Sequence, residues 1–162
     1  MKQGLTIFLI DKKQEDDKVR LNFKERNMKK IMVVSDRVRD FKYFIDALNS
    51  KYEVFITPYI EGAENKLKIE RFDLVVVEVS MSPLEIFTLE ETEFGKITGI
   101  VWYQQFLKNF DFSVLFWCWS FNEEKEVYVK NLKIEFPSKK IYFLERGTDQ
   151  NHLFECIKNI LH

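Results

Sequence analysis

The sequence predicts an α/β domain in three layers, a central sheet of five parallel strands between two layers of helices. From Lys29 onward, short β-branched runs alternate with stretches of helical period, the mark of parallel strands joined by crossover helices. The strongest runs are apolar throughout and do not alternate, as strands covered on both faces do not. Composition agrees: of 162 residues, 46% are hydrophobic and 15% aromatic, with only 5 Gly and 3 Pro. That excludes a disordered chain and leaves enough apolar material for one buried core.

The first strand is Ile31-Met32-Val33-Val34, ending in Ser35-Asp36. Residues 37–48 follow with Val38, Phe41, Ile45 and Leu48 at helical spacing, one face of an amphipathic helix. Residues 52–57 are rich in β-formers and make the second strand, and 64–71 make a short helix. The run Phe72-Asp73-Leu74-Val75-Val76-Val77-Glu78-Val79 is the strongest strand signal and belongs at the sheet centre. In the long connection 80–112, Ile97, Ile100, Tyr103, Leu107 and Phe110 set out a helix that Gly95 separates from the loop before it. Residues 113–118 are the fourth strand. Ser120-Phe121-Asn122-Glu123 then has the form of a capping box, in which hydroxyl and carboxylate satisfy each other's orphan amides, so a helix runs from about Phe121 to Lys133. Residues 140–144 make the fifth strand, and the last helix, after Thr148, buries Leu153, Phe154, Ile157, Ile160 and Leu161.

This repeat divides the chain into a domain at 28–162 and an extension at 1–27, whose β-prone segments 5–10 and 19–23 flank a polar stretch as the arms of a β-hairpin would. With 25 basic and 26 acidic residues the net charge is −1, which argues against a broad nucleic-acid surface. No uncharged run reaches the ~18 apolar residues that span a bilayer. The start does not read as a signal peptide either, so no membrane contact and a cytoplasmic location are expected. Cys118 and Cys156 can neither staple a fold nor hold zinc by themselves, and both are expected as buried thiols.

The run 72–83, with Asp73-Leu74-Val75 before Glu78 and Met81-Ser82-Pro83 after it, resembles the third strand of bacterial response-regulator receiver (CheY-like) domains. Lys30-Ile31-Met32-Val33-Val34-Ser35-Asp36 resembles their first strand. The resemblance covers about residues 29–162 and implies a flavodoxin-like (βα)5 fold with strand order 2-1-3-4-5. It also implies a site at the sheet's C-terminal edge. There a phosphoacceptor aspartate and magnesium-holding acids sit near a hydroxyl that ends strand four and a lysine that ends strand five.

Carried onto this chain, the acidic pair is Ser35 and Asp36, the acceptor is Glu78, the hydroxyl is Cys118 and the lysine is Glu145, followed by Arg146. Of these groups only Asp36 keeps its type. Glu78 is one methylene too long, Glu145 puts an anion where a cation would balance phosphate, and a thiol is a weak donor. The chain therefore reads as a degenerate pseudo-receiver, a non-enzymatic, phosphorylation-independent module acting through a protein partner, a second copy included. Glu78 either mimics a permanently charged acceptor or is simply an acid at the strand's rim.

Two further classes stay open beside this one. A residual receiver would bind magnesium through Asp36 and Glu78, with Asp40 assisting, and accept phosphate on Glu78 or, by an atypical route, on Asp36, though two carboxylates make a weak site and no cofactor is expected. An unrelated flavodoxin-like protein would bind a ligand beneath the acidic segment 83–96. Nucleotide loops are absent, because Ser35-Asp36-Arg37-Val38-Arg39-Asp40 has no glycine. His152 and His162 are too few and too peripheral for a metal triad or a Ser-His pair. The aromatic cluster at Phe112, Phe116, Trp117, Trp119 and Phe121 reads mostly as core. By resemblance, Trp119, Tyr128 and Tyr142 are the interface candidates.

Overall fold

The computed structural model describes residues 28–37, 39, 42–84, 86–118, 123–144 and 150–162. The expected N-terminal hairpin, Asp40, Trp119, most of the capping box, Glu145 and Arg146 lie outside these residues.

The order is β1 (Lys30–Val34), α1 (Lys42–Asn49), β2 (Glu53–Thr57), α2 (Ile60–Ile69), β3 (Leu74–Glu78), α3 (Thr98–Gln105), a short 3-10 turn (Leu107–Asn109), β4 (Ser113–Trp117), α4 (Glu123–Glu135), β5 (Ile141–Leu144) and α5 (Gln150–Leu161). The five strands are parallel in the order β2-β1-β3-β4-β5, the flavodoxin-like order expected. Val34 pairs with Val77 and Glu78 with Trp117, so the ends of β1, β3 and β4 share one edge.

Alternate strand residues feed two cores. Met32, Val34, Val75, Val77, Val114 and Phe116 face Ile60, Ala63, Ile100, Val129 and Leu132 of α2, α3 and α4. Ile31, Val33, Leu74, Val76, Leu115 and Trp117 face Phe44 and Leu48 of α1 and Leu153 and Ile157 of α5. Both faces being covered explains why β3 and β4 are buried along their whole length and why their sequences carry no alternation. Each such Val or Leu contributes about 1.5–3 kcal/mol on burial.

Some boundaries differ from the sequence reading. Helix α2 starts at Ile60, four residues before the expected 64, because its buried stripe is Ile60, Ala63 and Leu67; alanine and an isolated isoleucine give little periodic signal. The pattern from Ile97 to Phe110 is broken at Phe106, where φ is −126° and ψ −57°, and the chain tightens into the 3-10 turn. Tertiary contacts explain why the pattern overran the helix, since Phe106 and Phe110 pack on the same core.

Candidate functional site

Parallel strands deliver their C-terminal residues to one rim, and the rim between β1 and β3 is where the strand order reverses, the usual place for a site in such a sheet. Ser35 follows β1, Glu78 ends β3 and Cys118 follows β4. Ser35 is fully buried and its Oγ donates to Glu78 Oε2 at 2.5 Å. Its Oγ also accepts from the Arg37 amide at 3.1 Å, which bends the chain over the rim. The Arg37 guanidinium, half exposed, reaches Glu78 Oε1 at 3.9 Å. Asp36 is exposed and its Oδ2 accepts the Ser82 amide at 3.0 Å, tying the loop after β1 to the loop after β3.

Glu78 itself is 1% exposed. Burial pushes its carboxyl up from the ordinary 4.5 to about 7; the Ser35 hydrogen bond opposes this, Asp36 adds to it, and Arg37 and Lys125 pull it down. Near neutral pH the group is therefore divided between its charged and neutral forms. Above it the chain is tight. Thr98 Oγ1 donates to the Met81 carbonyl at 2.6 Å and the Gly99 amide to the Val79 carbonyl at 3.0 Å. A Cβ on Gly99 would lie 2.4 Å from the Glu78 carbonyl oxygen and 2.8 Å from Val77 Cγ1, so only glycine lets α3 start here.

Cys118 is buried, as expected, and accepts a hydrogen bond from Lys125 Nζ at 3.3 Å. Lys125 was not singled out in the sequence, yet it is only 7% exposed and sends its charge toward Glu78. The signal was present: Lys125, Val129 and Leu132 are the buried residues of α4 and repeat at four and three, so the lysine lies on the inward stripe. The acids Glu123, Glu124 and Glu126 around it disguise that position as a solvated first turn. A cation thus approaches the pocket from α4. Cys156, by contrast, is half-buried.

The interface candidates that can be placed are both partly buried. Tyr128 packs on the first core and its hydroxyl donates to the Glu93 carboxylate. Tyr142 packs on the second. Segment 86–96 is folded on itself: Thr88 and Glu91 bond each other reciprocally as a capping box, and Phe87 turns into the core below, as do Met81 before the segment and Ile97 after it. Just before it Ser82 is tied to Asp36, and within it Glu93 is tied to Tyr128 of α4. A concavity of about 580 Å³ lies elsewhere, at the opposite edge of the sheet between the end of α2 and the approach to β4, lined by Arg71, Phe72, Phe110 and Phe112 among others.

A resident magnesium ion does not suit these side chains. Among the described residues there is no group of three or more His, Cys, Asp or Glu that could hold a metal, one of the two rim carboxylates is buried and bonded to Ser35, and Arg37 stands beside it. Magnesium is held in near-ideal octahedral array, commonly by one or two ionised carboxylates with waters completing the shell, and of the described rim acids only Asp36 is exposed. Nor is any helix among the described residues long and apolar enough to cross a membrane.

No family's sequence profile matches the chain, and no curated protein does. Solved structures do match in fold. The chemotaxis response regulator CheY4 of Vibrio cholerae is 19% identical with a TM-score of 0.57, the match covering 83% of this chain and 100% of that one. A two-component response regulator from Clostridium difficile is 13% identical with a TM-score of 0.59, covering 83% and 96%. HP1043, an orphan response regulator of H. pylori, is 14% identical with a TM-score of 0.55, covering 83% and 97%. The chain has the CheY-like receiver fold.

Proposed function

We propose that this chain is a phosphorylation-independent receiver-like domain that serves signal transduction through contacts with a protein partner, a second copy of itself included, in the cytoplasm and without catalysis of its own. The observation that supports this most is the state of Glu78. An acceptor must present an ionised, accessible carboxylate to an incoming phosphoryl group. Here the carboxyl is buried, hydrogen-bonded to Ser35 and about half protonated near neutrality. Those properties also weigh against constant mimicry of a phosphorylated acceptor, which needs a permanent charge.

Lys125 favours a second reading, a residual acceptor, since a buried ammonium near Glu78 supplies the counter-charge that an acyl phosphate needs. One experiment separates the two. Incubation of the full chain with acetyl phosphate and magnesium, followed by intact mass measurement, is expected to leave the mass unchanged. A stable gain of one phosphoryl group, lost in Glu78→Gln or in Asp36→Asn, would establish the residual receiver instead.

A further inference from the structure

The loop between β3 and α3 holds two large apolar side chains in solvent. Phe94 is 76% exposed and Leu89 52% exposed, and the Phe94 amide donates to the Leu89 carbonyl at 2.7 Å, so the backbone of one turn carries both. Phe94 has φ +58°, between Glu93 at +49° and Gly95 at +86°. Left-handed backbone disfavours a bulky side chain, and glycine or asparagine is the usual choice. The surrounding structure enforces this conformation. Thr92, fully buried, donates to the Thr88 carbonyl and accepts the Gly95 amide, and Glu93 is held by the Tyr128 hydroxyl. An apolar ring kept in water on a rigid, disfavoured turn gains nothing for the fold, and such outliers gather where partners bind.

Acids predominate near the ring in the chain. Glu90 and Glu91 are exposed on the same turn, Glu93 flanks Phe94, and Glu124 of α4 is close enough to Tyr128 to raise its hydroxyl's pKa alongside Glu93. Glu123 stands exposed next to it, and Lys96 is the base nearest in sequence. Exposed apolar side chains among acids are complementary to a basic surface carrying an apolar stripe, which is what a basic amphipathic helix presents.

We infer that Phe94 and Leu89, with the acids Glu90, Glu91 and Glu93 of the same turn and Glu124 of α4, form the docking surface for a basic amphipathic helix of a protein partner. This rests on the reading of the chain as an interaction module and names the surface it uses. Burial of the ring supplies the affinity, and the acids supply attraction and orientation. The contact needs no phosphate.

The test uses the full chain and a labelled helical peptide of leucine and lysine, with a leucine-glutamate peptide as control, read by fluorescence anisotropy. Binding of the lysine peptide should weaken as salt rises, and Phe94→Gly should reduce its affinity by roughly tenfold or more. The same variant should raise the melting temperature, because glycine relaxes the turn; this separates lost recognition from lost folding. Equal affinity of Phe94→Gly and the unaltered chain would overturn the surface while leaving the interaction module standing. So would equal binding of the glutamate peptide. Self-association of the chain abolished by Phe94→Gly would overturn the basic-helix partner in favour of a second copy, and a lowered melting temperature would make Phe94 a structural residue.

Discussion

Glu78 is the residue on which the chemistry of the rim turns. Its folded carboxyl titrates at about 7, against 4.5 ordinarily, chiefly because it is buried. Between about pH 4.5 and 7 the folded chain therefore holds a proton that the unfolded chain has released, so stability falls as pH rises through this window and levels off above it. The loss is on the order of 3 kcal/mol. Urea unfolding at pH 5 and pH 8 should show that decline in the unaltered chain and little of it in Glu78→Gln, which cannot ionise; parallel declines in the two would refute the assignment. Lys125→Met removes a charge that draws the carboxyl down, so in it the carboxyl resonance of Glu78 should titrate at higher pH. The lysine also shows why the pocket is not the all-acid place that Glu145 suggested: a cation reaches it from another element.

At the scale of elements, the decisive contact is the start of α3 against the end of β3. Gly99 has no room for a methyl, which would press on the Glu78 carbonyl and Val77. Backbone on one side cannot yield, so Gly99→Ala should cost about 2–3 kcal/mol in denaturant unfolding. A loss below about half a kcal/mol would mean that α3 can slide away. Because the same junction carries Glu78, the variant should also disturb its titration. Helix α4 acts similarly. Its inward stripe brings Lys125 to Cys118 while Tyr128, on its flank, holds Glu93, so one helix sets both the pocket's cation and the pose of the long loop.

For the whole molecule, the sheet is covered on both faces by elements within 28–162. That fragment should fold alone and melt within a few degrees of the full chain; a molten fragment would show that residues 1–27 complete the core. The arrangement was largely legible in advance, because strands with two buried faces lose their alternation and crossover helices keep theirs, and parallel strands must then be joined by helices. The weak spots were local. Helix α2 hides behind a stripe that includes an alanine, and Phe106 and Phe110 carry a helical pattern past the helix end because they pack on the same core. What the amino-acid order determined by itself was the sequence of elements, the sheet's apolar centre and the arrival of Ser35, Asp36, Glu78 and Cys118 at its edge, all consequences of short-range periodicity and strand direction. Only the tertiary structure decided the protonation of Glu78, the arrival of Lys125 and the outward pose of Phe94. Each depends on desolvation or contact between segments far apart in the chain, and no local pattern encodes the distance between them.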